Sequence, residues 1–374
     1  MVIYDIIIVG GGLAGLTASI SLSKAGHSVL VLEKRTYPHH KVCGEYVSNE
    51  IRPFLEHLGL DLKGLRAVPI QYVCISNHKG KSRKAKLPLG GFGISRYTLD
   101  HALYKLAVKN GVHFQFEVVT SVQLQHHIFY VTTNKGTYKS ELVIAAHGKR
   151  SHFDKYLNRP FIKDKSPWLG VKAHYQIDNF PEDHVMLHSF PGGYGGLSLT
   201  EQGTVNFCYL SNYKSFQKEK SIATFNANVV SQNPFLKTFL QEATPTFDEP
   251  LSIAQIAFTK KEQTKNSMLM CGDSAGLIHP LCGNGMAMAI HAAKLASDVM
   301  IRFFQDKTYT RDQMERDYQR QWKTTFALRL FIGRKIQAVM MNTTLFDSLF
   351  YLIPNSASFL RAIIKQTHGK TIFV

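Results

Sequence analysis

At 374 residues the chain exceeds the usual size of one small domain, so two domains or one elaborated domain is expected. Hydrophobic residues at 44% against 19% charged, with 13 prolines, exclude extended disorder. A formal charge of +17 favours anionic partners, whether dinucleotide, acidic carrier, phospholipid surface or nucleic acid, without choosing among them.

The N-terminus, Met1 to Asp5, carries no cationic stretch ahead of its apolar run, which ends in glycines rather than a cleavage site; a cytoplasmic protein is expected. Ile6 to Val9 reads as a strand, followed at once by Gly10-Gly11-Gly12-Leu13-Ala14-Gly15 and by Leu13, Leu16 and Ile20 at helical spacing. Gly26 suits the end of that helix, and Ser28 to Leu32 reads as a second strand ending in Glu33. A βαβ unit is visible in this stretch.

Thr98 to Lys109 has the spacing of a helix, Phe114 to Val122 that of a strand, and Leu142 to Ala146 that of a buried strand. Between Lys172 and Leu210, short alternating segments broken by Pro191-Gly192-Gly193 and Gly195-Gly196 suit an antiparallel sheet covering a substrate. Met268 to Cys271 is a short strand; Gly272-Asp273, Pro280, Gly283 and Gly285 precede a long small-residue helix from about Met286 to Phe304. Beyond it, Arg311 to Lys323 reads as a charged helix with Tyr318 and Trp322 on one face, and the remaining tail is basic and partly apolar. No run is long and apolar enough to predict a membrane span.

Gly10-x-Gly12-x-x-Gly15 gains meaning from its setting between a strand and a helix. Gly10 permits the sharp turn, Gly12 lets backbone N–H groups approach a pyrophosphate, and Gly15 lets helix and strand pack closely. Glu33, at the next strand end, is placed to accept ribose hydroxyls. Late in the chain, Asp273 and the helix start near Gly283 to Gly285 bring a carboxylate and free N–H groups together, as a flavin requires.

These paired motifs resemble the p-hydroxybenzoate hydroxylase superfamily of FAD enzymes, and Lys41-Val42-Cys43-Gly44-Glu45 resembles its geranylgeranyl reductase branch, the likeness spanning roughly residues 1 to 300. The resemblance implies an α/β protein: a Rossmann-like FAD-binding domain of the glutathione-reductase type, an inserted mixed β-sheet substrate domain and C-terminal helices. FAD-binding pieces are expected at 1–68, 93–166 and 253–306, substrate-domain pieces at 69–92 and 167–252, and a helical segment at 307–374. It implies ribityl binding by Asp273, a place for Pro280 beside the isoalloxazine, and Arg96 near the flavin phosphates. The expected cofactor contacts are Gly10, Gly12, Leu13, Ala14, Gly15, Glu33, Lys34, Cys43, Gly44, Arg96, Val118, Gly148, Gly272, Asp273, Pro280, Gly283, Asn284, Gly285 and Met286. Cys43, Tyr194 and Pro280 are the expected catalytic residues, Cys43 as donor or gate and Tyr194 packing on substrate. Without the family, Arg96 is an exposed basic residue at a helix start, Cys43 a small buried hydrophobe and Tyr194 part of a glycine-rich hairpin.

One position departs from the superfamily, whose hydroxylases carry Asp-Gly where this chain has His147-Gly148, so the electron donor, NAD(P)H or another reductant, stays open. The expected activity is FAD-dependent oxidation or reduction of a hydrophobic small molecule, leaning to a monooxygenase of a lipid, polyketide or aromatic metabolite. The alternative is reduction of an isoprenoid double bond, which Cys43-Gly44-Glu45 favours.

More remote are a non-catalytic flavin carrier serving a complex, docking through its C-terminal basic segment on anionic lipid or an acidic partner, and a serine hydrolase built on Gly272-x-Ser274-x-Gly276. Halogenation is not expected, since Trp168 and Trp322 form no Trp-x-Trp motif. Nucleic-acid binding has no motif behind it, and the five cysteines and seventeen histidines show no zinc-ligand spacing, the histidines being expected mostly at the surface.

Overall fold

The computed structural model describes residues 2–352 and 356–373. Its first sheet is built on Ile3–Val9, flanked in parallel by Val29–Glu33 on one side and Thr137–Ala145 on the other. His113–Phe116 and Met268–Met270 extend it in parallel at either end. Ile6–Val9, Val29–Leu32 and Leu142–Ala145 are continuous buried apolar runs in the core between the helices and the meander residues Phe129 and Val131, and Ile6 to Ile8 have no exposed surface. The sequence expected one strand over 114–122. Two form instead, because Glu117 ends the parallel pairing by donating its N–H to Glu33 O at 2.9 Å, and the chain then turns into a meander of 119–125, 128–133 and 137–145.

The second sheet has nine strands. Trp168–Gln176, Val205–Asn212, Gly193–Leu199 and His184–Phe190 are antiparallel neighbours, and His184–Phe190 pairs in parallel with Val68–Ser76. Strand Tyr46–Ser48 joins the same sheet through Ser82–Gly93, so this sheet reaches into the stretch expected to belong to the FAD-binding piece 1–68. One face packs on helices Ile222–Asn228 and Pro234–Glu242 around Phe190, Phe207, Phe225 and Phe239. The opposite face turns toward the first sheet's loops.

Helix Leu13–Lys24 lies against helix Gly285–Gln305, and the long helix Arg311–Met341 buries Tyr318, Trp322 and Phe326 at i, i+4, i+8 spacing. Helices Thr343–Leu352 and Ala357–Thr367 follow it. Ile364 packs onto Ile70, Val73 and Leu87 of the second sheet, and no described helix is long and apolar enough to cross a membrane.

Candidate active site

Strand register decides where the glycine loops fall. Val9 pairs with Ala145 and Ala145 with Met270, so the turns after these three parallel strands lie side by side at the carboxyl edge of the sheet. Gly10 has φ +104°, and a Cβ there would sit 2.5 Å from Ala146 O; a Cβ on Gly15 would overlap the Gly10 carbonyl. A Cβ on Gly12 would meet nothing within 4 Å, at the start of a helix with no side-chain cap. The two glycine segments touch: Gly272, with φ +62°, would place a Cβ 3.0 Å from that of Ala14.

Around the first turn, the buried Glu33 carboxylate accepts N–H bonds from Gly11 at 2.7 Å and Arg35 at 3.1 Å. Lys34 beside it is exposed. Val118 is 46% exposed one residue beyond the Glu117–Glu33 backbone contact, with its N–H held by Asn134 at 2.9 Å.

Beneath the second turn, His147 Nε2 lies 2.9 Å from Asp154, which also pairs with the fully enclosed Arg159 at 3.2 Å; Arg159 donates to Ser274 O at 2.8 Å. The residue replacing aspartate at 147 therefore belongs to an ion-paired brace. Ser274 Oγ accepts the Gly148 N–H at 2.9 Å and is fully buried, and the following helix starts only at Gly285. That removes the nucleophile-elbow reading, which needs an exposed hydroxyl at a strand-to-helix turn. Lys261 donates to Asp273 O and Lys149 O, both at 2.8 Å; burial pushes its ammonium down to about 8, with Asp273 opposing.

Facing these turns is one surface of the second sheet. Tyr194, Leu210 and Gly170 lie across three strands in one row, Gly196, Cys208 and Lys172 in the next, and Ser198, Asn206 and His174 in the third. The 41–45 loop docks on the polar end: Asn206 Nδ2 donates to Cys43 O at 3.3 Å and Ser198 Oγ to Gly44 O at 3.1 Å. Glu45, fully buried with φ +55°, accepts from Lys172 Nζ, from His174 Nε2 at 2.6 Å and from the Arg96 N–H at 2.7 Å. Burial alone would raise its carboxyl; Lys172 and His174 outweigh that and hold it low.

The Arg96 guanidinium clasps Asp100 through two 2.7 Å bonds, and Lys41 joins the same carboxylate at 2.7 Å. Burial disfavours its charge, but Asp100 and then Cys43 more than offset this. The exposed arginine that the residues alone suggested is thus a largely enclosed one, its side chain 13% exposed and already committed to a carboxylate.

At the apolar end, Tyr194 Oη accepts the Leu281 N–H at 3.2 Å and donates to Gln337 at 3.3 Å, so this buried tyrosine fastens the Pro280 turn and the long helix to the sheet. Pro280 is exposed. Cys282 is buried, which pushes its thiol up to about 12. Asn284 directs its side-chain N–H to Thr367 O at 3.0 Å, while its buried Oδ1 makes no hydrogen bond among the described residues. Gly285 and the buried Met286 open the next helix, again without a side-chain cap. Tyr194, Leu210, Ile256, Leu277 and Met340 form a buried cluster with Trp168 and Leu187.

Residues 3–306 match the family described as FAD binding domain. The chain belongs to that family and is an FAD-dependent oxidoreductase. Its relatives include digeranylgeranylglycerophospholipid reductase of Methanococcus vannielii, 26% identical with 86% of this chain and 82% of the relative covered. Conditioned medium factor receptor 1 of Dictyostelium discoideum is 23% identical, covering 87% and 68%. Among solved structures, the flavin-dependent brominase Bmp2 superposes with a TM-score of 0.78 at 17% identity, covering 97% of this chain and 93% of that one. A geranylgeranyl bacteriochlorophyll reductase-like protein of Thermoplasma acidophilum gives 0.75 at 19%, covering 97% and 96%.

The residues present fit FAD: two neighbouring helices begin without side-chain caps, leaving N–H groups for anionic oxygens, and the space before Gly12 admits no competing side chain. Sequence reasoning missed Lys172, His174 and His40, and with them the role of Glu45 as their meeting point. The available signal was Lys172 and His174 at i, i+2 in a strand whose alternate residues are apolar, which puts both on one face. Histidines expected at the surface are often interior, as His174, His188 and His279 are.

Proposed function

We propose that the protein reduces a carbon–carbon double bond in an apolar, isoprenoid-like molecule, with FAD held between the two sheets. The observation carrying this reading is the polarity gradient on the second sheet's inner face. It runs from an apolar end at Tyr194, Trp168 and Leu210 to a charged end at Lys172, His174 and Glu45, with Cys43 and Gly44 docked over the charged half. An apolar chain would lie toward the long helix while its reacting carbons meet the polar end. The names of the relatives support reduction of lipid-borne isoprenoids as the class.

FAD, when bound, supplies the two-electron chemistry. The chain would hold it through the Gly10–Gly15 turn at the pyrophosphate, Glu33 at the ribose with Val118 nearby, Asp273 at the ribityl hydroxyls and Gly283 to Gly285 at the pyrimidine edge. Tyr194 acts as a positioning residue by fixing the Pro280 turn, and the apolar surroundings of Leu210 and Leu277 keep water from the apolar chain of the molecule.

The deciding experiment mixes anaerobically reduced protein with prenyl substrates of graded length and follows flavin reoxidation together with product mass. Reoxidation with a gain of two hydrogens supports the reading. No anaerobic reoxidation, but an oxygen-dependent hydroperoxide band with substrate present, replaces it with oxygen insertion.

A further inference from the structure

The charged end of the sheet face contains more ionisable groups than binding FAD requires. Glu45 and Lys172 have no exposed surface, and His174 is 2% exposed. His40 stands between them and solvent: it is partly exposed, packs between Tyr97 at 4.8 Å and Phe247 at 4.6 Å, and meets the His174 ring edge-on at 5.2 Å between centroids. One ligand atom from each of His40, Glu45 and His174 falls within 4.8 Å of the other two, a separation that a ring rotation or one bridging water spans. His40 Nδ1 is buried and makes no hydrogen bond among the described residues. Three proton-exchanging groups thus run in series from the surface to the residue adjoining Cys43 and Gly44.

A cation is an obvious alternative for such a trio, but the Lys172 ammonium already neutralises Glu45 where a metal would have to bind. Burial and then Lys172 push His40 down to about 4, so it rests neutral and can accept and release a proton rather than store one. The other charges facing it are Glu45 and, from the helix side, Glu201, which accepts from Ser95 and Thr98.

We propose that His40, His174 and Glu45 form a proton line that links solvent to the cofactor face beside Cys43 and Gly44. Reduction of bound FAD by two electrons takes up one proton at neutral pH. That proton would come from the His174 Nε2–H by way of the Glu45 carboxylate, which takes one proton up as it passes one on, and water would reprotonate His174 through His40, so no proton is created or lost in the protein. Lys172 keeps Glu45 charged and in place and is a positioning residue. The inference rests on the cofactor assignment and is independent of the organic substrate.

The test is proton uptake by FAD-loaded protein during reduction by reduced methyl viologen, which gives up electrons without releasing protons, in weakly buffered solution, recorded with an indicator dye alongside flavin bleaching. His40→Ala and His174→Gln should slow uptake at least tenfold while leaving FAD affinity within twofold, and free imidazole should restore the rate in His40→Ala, whose ring edge reaches the surface. Uptake at the wild-type rate in His40→Ala, or a slow rate that imidazole leaves unchanged, overturns the proposal. Should His174→Gln fail to fold, His40→Ala decides alone. A protein with a working line but no product from prenyl substrates would overturn the reductase reading and leave this one standing.

Discussion

Gly12 is where a single methyl group separates folding from cofactor binding. Its backbone is extended and its Cβ position is open, so Gly12→Ala should melt within a degree or two of the parent without cofactor. The same methyl would stand where a pyrophosphate approaches the helix start, and FAD affinity should fall about tenfold, ~1.4 kcal/mol, by fluorescence titration. Equal affinity would place the phosphates elsewhere. Lys261 gives a second residue-scale outcome with a defined sign. Its pKa is about 8 in the fold against an ordinary value of 10.5, so between those limits the unfolded chain binds more protons and stability rises with pH. Below about 8 the buried charge is carried at full cost. Subtracting the pH profile of Lys261→Met from that of the parent should leave this rising limb; a flat difference would mean that the ammonium is solvated. The glycine turns at Gly10 and Gly272 were legible from the sequence because local turn chemistry fixes them. Glu45, Lys172 and His174 were not, since they are distant in sequence and only strand pairing brings them together.

Elements were most legible where one period ran unbroken. The strand at Ile3–Val9, the helix at Leu13–Lys24 and the helix at Gly285–Gln305 lie where the apolar spacing predicts, with ends moved by one to three residues as caps and pairing partners dictate. The sheet order was hidden, because Met268–Met270 finds its place beside Thr137–Ala145 through a pairing more than a hundred residues long in sequence. Tyr194 shows how one hydroxyl joins three elements that no local pattern relates: a strand, the Pro280 turn and the helix Arg311–Met341. Tyr194→Phe keeps the ring and leaves the Leu281 N–H without its acceptor, a loss of about 1–3 kcal/mol in denaturant unfolding. The Pro280 turn should then protect its amides less against hydrogen exchange, while those of Ile6 to Ile8 remain unaffected. Unchanged exchange at Leu281 would mean that the turn is held by its neighbours rather than by the tyrosine.

At the scale of the whole molecule, the positive charge and the C-terminal helices would meet one requirement of the proposed isoprenoid-like substrate, which would have to be drawn from a membrane. Leu328 and Phe331 are 63% and 50% exposed one helical turn apart, with Lys335 stacked beside Phe331. Tyr351 and Leu352 are 55% and 79% exposed, and Lys81 lies over the Tyr351 ring at 3.8 Å. Apolar side chains interleaved with lysines on a chain of net charge +17 suit the surface of an anionic bilayer, where rings enter the headgroup layer and ammonium groups meet phosphates. The helix Arg311–Met341 also carries Gln337 and Met340 against the sheet, so a bilayer touching its outer side would lie close to the apolar end of the proposed site. The protein should therefore co-sediment with phosphatidylglycerol vesicles, far less with phosphatidylcholine, and release as salt shortens the reach of its charges. Phe331→Glu should weaken sedimentation severalfold without shifting the melting temperature, because that side chain is half in water already. Equal partitioning of parent and variant, or binding indifferent to both lipid charge and salt, would leave these helices as a cover for the core and nothing more.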